Sequence, residues 1–278
     1  MSLGITADTA PLRVGAFGAA VLVRAHGSAA AELGGQLRRA WGRCALDPAA
    51  PAPFGESRLD VCVDPDPGVV AAARQAGMLA STDVRAAMDQ LSSSITVAVV
   101  TRRAGTLLML HACGLADPST GATVALVAPS GTGKTTLART LGTMWAYVSD
   151  ETVAIDEHGG VLPYPKPLSW LTHPDAALKD QLAPGDCGLV PVPARLRIAA
   201  VVLLDRRPDG PRTPQVDVIP TVPALAALAP ETSYFTQQPT PLQRLAGVLT
   251  TTGGLRRVTY AEAEDLSGTI AGVLGGRR

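Results

Sequence analysis

The sequence predicts an α/β protein in two parts, on three observations. Apolar runs of strand length alternate along the chain with stretches of helical spacing. The texture changes near residue 105, from a region without recognisable chemistry to one that carries a dense motif. With 278 residues, 46% of them hydrophobic, the chain can fill the cores of about two domains at roughly 150 residues each.

Residues 1–104 are expected to form a small α/β domain whose role the sequence does not give. LRVGAFGAAVLVRA (12–25) alternates well enough for two short strands about Gly18, and AAELGGQLRRAWGRCAL (29–45) brings Leu33, Leu37 and Trp41 to one helical face. DPAAPAPFGES reads as a loop and RLDVCVD as a strand. From Val84 to Arg103, the spacing of Met88, Leu91, Ile95 and Val99 predicts a longer helix.

Residues 105–278 form the second predicted domain. TLLMLHACGLAD and ATVALVA make a β-hairpin turning at Pro118 to Gly121, and a helix begins near Gly133. WAYVSDETVAID and VLPYPKPLSW read as strands about the turn EHGG. The strand LRIAAVVLLD (196–205), helices at TVPALAALA and PLQRLAGVL, the strand LRRVTY and a last helix, AEAEDLSGTIAGVL, complete the domain. The chain contains no internal repeat.

One stretch names its chemistry: VALVAPSGTGKTTLARTL, Val124 to Leu141. An apolar strand runs into a glycine-rich turn and then a helix opening on Lys-Thr-Thr. Backbone N–H groups and the positive end of the helix dipole converge there, as binding a phosphate chain requires. Gly131 and Gly133 let the backbone wrap closely. Lys134 is placed to reach the β- and γ-phosphates, and the Thr135 hydroxyl to ligate Mg²⁺. The predicted nucleotide-binding set is Ser130, Gly131, Thr132, Gly133, Lys134, Thr135 and Thr136, with ATP and Mg²⁺ as ligands. Ala128 stands where the strict pattern has its first glycine.

A magnesium shell also needs an acid, and the nearest are Asp150 and Glu151, which end the apolar run Trp145 to Val148. Asp150 follows Lys134 by 16 positions, room for one helix and one return strand. A motor ATPase interposes more strands, and a GTPase carries an NKxD-like base reader that this sequence lacks. The spacing favours phosphoryl transfer, in which such acids bind metal and accept a proton from a hydroxyl. His111 lies on the preceding strand, which the hairpin returns to the loop's side. It either assists Asp150, touches a phosphate, or is a hydrogen-bonded core histidine. Lys166, framed by prolines in PYPKPLSW, is either a solvated loop lysine or a cation aimed at the acceptor or the γ-phosphate. Arg244 and the pair Arg256-Arg257 are further cationic candidates.

In this order, LHACGLAD, APSGTGKTT and VSDETVAI resemble the HPr kinase/phosphorylase superfamily, especially its small relatives beside peptide-modifying gene clusters. The resemblance spans roughly Leu107 to Trp170. ATP-dependent phosphoenolpyruvate carboxykinase, which shares the string SGTGKTTL, is a fold relative. The resemblance implies a P-loop kinase domain with hairpins flanking the nucleotide site, and an ATP- and Mg²⁺-dependent kinase acting on a serine of a protein or peptide. By it, Lys134 and Thr135 bind Mg-ATP, Asp150 is the catalytic base, Glu151 assists the metal and His111 supports the base. Lys166 and Arg244 are the substrate-binding candidates. The second signature region, tied to the reverse phosphorylase reaction, has no clear match, so only the kinase activity carries over.

Composition narrows the partners. Net charge is zero, with 24 basic and 24 acidic residues, and aromatics make up 4%, so neither a basic stripe nor a stacking platform for nucleic acid is indicated. The four cysteines are scattered without a CxxC pair, which points to buried thiols rather than zinc or disulfides. No apolar run reaches the length of a membrane helix, and MSLGITADTAPLR lacks a charged-then-apolar signal, so a cytoplasmic, membrane-free protein is expected. Self-association as a homo-oligomer is left open. Two other functions fit the same motif: a kinase for a small hydroxyl metabolite, and a nucleotide-binding regulator that does not turn over.

Overall fold

The computed structural model describes residues 10–129, 131–173 and 176–275, and the protein is mixed α/β. The chain divides into two compact units, Met1–Arg103 with Lys166–Pro184 and Ala104–Pro165 with Gly185–Arg278.

The first unit opens with β1 (Leu12–Ala16) and β2 (Ala19–His26), antiparallel about Phe17-Gly18. Both turn residues have positive φ, 58° and 78°, the signature of a tight two-residue hairpin turn. Helix α1 (Ala30–Ala40) buries Leu33 and Leu37 and leads to β3 (Glu56–Val63), parallel to β2. Helix α2 (Pro67–Gln75) leads in turn to β4 (Leu79–Ser81), parallel to β3. Helix α3 (Val84–Thr101) then buries Met88, Leu91, Ile95 and Val99. Asp66 caps α2 by accepting the Gly68 N–H at 2.7 Å, and Asp83 caps α3 by accepting the Ala86 N–H at 2.8 Å. The sequence reading had no helix at α2, although Asp66 followed by Pro67 at the first helical position is a start signal.

The second unit is built on β5 (Leu108–Ala116), which forms the expected hairpin with β6 (Ala122–Val127). Asp117 holds the turn by accepting the Ser119 and Thr120 N–H groups at 2.8 and 2.9 Å. A glycine-rich loop and α4 (Lys134–Leu141) follow β6. The predicted strand WAYVSDETVAID is two strands, β7 (Ala146–Ser149) and β8 (Thr152–Ile155), both antiparallel to β5 and interrupted at Asp150-Glu151. The short strand β9 (Val161–Leu162) pairs with β8.

The chain then returns to the first unit with an antiparallel ribbon, β10 (Leu168–Trp170) and β11 (Asp180–Leu182). Residues 166–184 are tied to α3 there: Arg85 donates to the Leu178 carbonyl at 3.2 Å, and Asp89 accepts the Lys179 N–H at 3.3 Å. The domain boundary expected after residue 104 therefore falls after Arg103, and Lys166–Pro184, assigned by sequence to the second domain, belongs to the first. VLPYPKPLSW is accordingly not one strand, because its two ends pair in different units.

Back in the second unit, β12 (Arg197–Arg206) runs parallel to β6, and after β13 (Gln215–Ile219), α5 (Thr221–Leu228), β14 (Thr232–Ser233) and α6 (Pro241–Thr252), β15 (Leu255–Tyr260) runs parallel to β12. Helix α7 (Leu266–Gly275) closes the described chain. The sheet order is β13-β15-β12-β6-β5-β8-β9, with β7 and β14 also on β5. Leu110, Val127, Val148, Val153, Val201 and Leu249 are among its buried core. No helix among the described residues is long and apolar enough to cross a membrane.

Candidate functional site

The glycine-rich loop sits at the carboxyl end of β6, a central strand, where open α/β sheets place their ligands. Gly131 and Gly133 have φ of 80° and 92°, the left-handed region that glycine enters without strain. A Cβ added at either would meet no atom within 4 Å, so the loop leaves open space over these two residues. Gly133 is the N-cap of α4, with no side-chain cap and no acid in the first turn. The N–H groups and dipole of this helix are therefore not spent on the protein's own carboxylates, as they are at α2 and α3. Ser130 lies outside the described residues. Thr132 donates to the Pro129 carbonyl at 2.6 Å, and Thr136 is exposed on α4.

Lys134, the first residue of α4, is buried, and its ammonium donates to the carbonyls of Ala128 and, at 2.9 Å, Pro129. Burial pulls its pKa below the ordinary lysine value. Glu231 opposes that shift most strongly, followed by Cys113, Asp150 and Glu151. The lysine is thus a partly desolvated cation at the mouth of the loop, with acids around it.

Asp150 reaches the first turn of α4 through a bulge. Pairing of β5 with the returning chain shifts between Leu115↔Tyr147 and Gly114↔Ser149, leaving Val148 as the extra residue. Gly114 makes room for it: a Cβ there would lie 2.8 Å from a Val153 methyl and 3.0 Å from the Val148 Cβ. Ser149 Oγ then accepts the N–H groups of Glu151 and Thr152 at 3.2 and 3.1 Å, holding the acidic pair out of the regular ladder. Asp150, 5% exposed, accepts from Thr135 Oγ1 at 2.9 Å through Oδ2 and from the Tyr147 hydroxyl at 3.1 Å through Oδ1. The first turn of α4 and the acid after β7 are therefore in direct contact. Glu151 is half-buried.

His111 pairs with Thr152 on β8 and is half-buried. Burial and then Lys134 hold its pKa below the ordinary histidine value, while Glu151, Glu231 and a hydrogen bond to the Glu151 backbone work the other way. The balance favours a neutral imidazole near pH 7. Next to it, Cys113 is buried. Burial pushes its thiol pKa well up, Asp150 adds to this and Lys134 opposes it, so it is an inert thiol and not a nucleophile.

Within the second unit the structure thus brings Lys134, Thr135, Asp150, Glu151 and His111 together, and does not bring Arg244 into that group. Lys166 belongs to the first unit. It is 1% exposed, not a solvated loop lysine, and its ammonium donates to the Pro167 carbonyl at 3.0 Å and reaches Ser169 Oγ at 3.5 Å. Arg244 anchors the chain just before the amino end of β5. It donates to Gln238 Oε1 at 2.6 Å and to the Thr106 carbonyl at 2.7 Å, roughly 10 Å or more along the strand from His111. Arg256 and Arg257 lie on β15. Sequence reasoning missed Tyr147 and Glu231. Tyr147 stood inside an apolar run, where a buried hydroxyl needing a partner was the available signal. Glu231 carried no local signal at all.

The residues present fit a magnesium-bound phosphate chain. Glycines without overhanging atoms, an uncapped helix start, a partly desolvated lysine, and a threonine hydroxyl touching a carboxylate are what such a ligand needs. Among the described residues no three His, Cys, Asp or Glu side chains cluster as an all-protein metal site. Magnesium bound beside phosphates draws only one or two carboxylates from the protein. No protein-family model matches this chain, and no curated protein matches it.

Proposed function

We propose that the second unit is an ATP- and Mg²⁺-dependent kinase that transfers the γ-phosphate to a hydroxyl, that of a serine in a protein or peptide, within the P-loop type of HPr kinase and phosphoenolpyruvate carboxykinase. The observation that carries this reading is the 2.9 Å contact from Thr135 Oγ1 to Asp150 Oδ2, which joins the loop helix to the acid only 15 residues later. In this reading the N–H groups of residues 131–135 and the Lys134 ammonium bind the phosphate chain. Thr135 and Asp150 hold Mg²⁺, which when bound neutralises charge on that chain.

The geometry supports exchanging the roles expected for the two acids. Asp150 is nearly enclosed, and both its oxygens already accept a hydrogen bond, one from the predicted metal ligand Thr135. Glu151 is the more accessible and stands beside His111. We therefore assign the proton of the acceptor hydroxyl to Glu151, with His111 positioning it.

Melting with and without Mg-ATP, followed by incubation with γ-labelled ATP and serine peptides, tests the reading. Mg-ATP should raise Tm, since a ligand bound only by the folded state stabilises it, and Lys134→Ala should abolish the rise. A rise that persists in that variant would put the nucleotide elsewhere. Binding without any label transfer would leave a nucleotide-binding regulator.

A further inference from the structure

His111 stands between two acids supplied by opposite edges of β5. On one edge its backbone N–H donates to the Glu231 carbonyl at 2.7 Å, just before β14 pairs with Leu110 and Met109. On the other edge it pairs with Thr152, and the next residue, Ala112, donates to the Glu151 carbonyl at 3.1 Å. With strands about 4.8 Å apart, the two acidic residues flank the histidine across roughly 10 Å of sheet.

Of these acids, Glu231 is the one the kinase reading leaves without work. Its side chain is half-buried, and among the described residues its carboxylate accepts no hydrogen bond and joins no ion pair. The strand pairing sets it beside the loop: β14 starts opposite Leu110, β6 ends opposite Ala112, and His111 between them donates to the Glu231 carbonyl, so Glu231 stands where the strand before the loop ends. A carboxylate beside a phosphate site opposes anion binding, because charges closer than the screening length of about 8 Å at physiological salt are little screened from each other. The three acids Asp150, Glu151 and Glu231 outnumber Lys134. One magnesium held by Thr135 and Asp150 and one ammonium, Lys134, do not balance Glu151, Glu231 and the phosphates together, and among the described residues no three His, Cys, Asp or Glu side chains converge as a metal site. A cation brought by the acceptor itself would supply the missing charge.

We infer that Glu231 is a specificity-determining residue: it receives a cationic group that the acceptor carries beside its hydroxyl, such as the side chain of a neighbouring lysine or arginine. This rests on the kinase reading above. The carboxylate favours such an acceptor by pairing with it, and disfavours neutral or acidic ones because it is otherwise left bare next to the phosphates.

The test uses the full chain with three pentapeptides in which a central serine is flanked by lysine, glutamine or glutamate. 3-Amino-1,2-propanediol set against glycerol serves as the small-molecule pair. Wild type should prefer the lysine peptide. Glu231→Gln should lower that preference in kcat/KM about tenfold, the scale of a half-buried charge pair, with KM for Mg-ATP no higher than in wild type. Glu231→Lys should invert it in favour of the glutamate peptide. A preference confined to the amino diol would identify a small-molecule acceptor with the same cation site. Equal use of the three peptides by wild type, or a lysine preference that survives Glu231→Gln, would overturn the inference.

Titration calorimetry of the same peptides against wild type with Mg-ADP separates this inference from the kinase reading, because it needs no turnover. A lysine preference in binding that Glu231→Gln removes supports the cation site even if no peptide is phosphorylated, and then it is the kinase reading that falls. Phosphorylation with no preference in binding or turnover keeps the kinase and removes the site.

Discussion

Gly27, between β2 and α1 in the first unit, and Gly133, between β6 and α4 in the second, have φ of 89° and 92°, and each lies where a strand's carboxyl end turns into a helix. Their surroundings differ. A Cβ at Gly27 would collide with the Val63 carbonyl oxygen and lie 3.1 Å from Cys62 Sγ. The neighbouring N–H groups are spent: Ser28 donates to Asp64 at 3.0 Å and Ala29 to the Val63 carbonyl at 3.1 Å. At the second junction a Cβ on Gly131 or Gly133 meets nothing within 4 Å, and no side chain caps the helix. One glycine is there for close packing, while the others keep space open. A glycine at a strand-to-helix turn therefore marks a ligand site only where the helix N–H groups have not already found partners.

The sharpest way to break this comparison is through the acids. If the second junction is catalytic, Glu151→Gln should lose at least about a hundredfold in kcat, the low end of general-base assistance, while Mg-ATP affinity holds. Asp150→Asn should instead raise the magnesium required, and excess Mg²⁺ should restore part of its turnover. The reverse pattern, with Asp150→Asn beyond rescue and Glu151→Gln nearly normal, would return the base to Asp150. Steady-state kinetics with magnesium varied decides between them.

Alanine at the glycines should give a smaller effect, of opposite kind in the two units. Gly27→Ala combines left-handed strain with a backbone clash and should cost about 2–4 kcal/mol in denaturant unfolding, leaving the Kd for Mg-ATP unchanged. Gly131→Ala carries the strain alone, about 1–2 kcal/mol, and should weaken Mg-ATP binding by calorimetry. Nucleotide binding lost in Gly27→Ala at a temperature where it remains folded would dissolve the distinction.

The smallest effect is at Asp64, which closes the first junction. Hydrogen bonds from Ser28 and then Asp66 hold its carboxyl below the usual carboxylate range. A depressed folded value means stability that is present above the unfolded pKa of about 3.9 and is lost as pH falls below it. Asp64→Asn should therefore lower Tm slightly at pH 7 and flatten its fall below about pH 4, the two proteins converging in acid. An acid limb identical to wild type would show that Asp64 does not secure that turn.

Much of this was legible locally. The hairpin β5–β6, the loop and the start of α4 follow from alternation, turn residues and the Gly-x-Gly-Lys-Thr string, and α1 and α3 from helical spacing at Leu33 and Leu37 or Leu91 and Ile95. Asp150 and Glu151 were identifiable because one helix and one strand must return them to the loop. Such signals are short-range: each depends on residues within one or two elements of each other.

What only tertiary structure decided lies beyond that range. Whether Asp150 or Glu151 meets Thr135 depends on one extra residue, Val148, in a ladder against a strand some 35 positions earlier, and on Gly114 admitting it. Glu231 comes beside His111 across a sequence separation that no periodicity encodes, through β14 on the far edge of β5. Lys166 looked like a loop cation because prolines frame it, yet Lys166–Pro184 packs with the first unit and the ammonium is buried. The sequence by itself determined that this protein carries a strand–loop–helix suited to phosphate and an acid pair near it. Which side chains converge there was decided by strand register, because a one-residue shift in a sheet redirects every side chain that follows.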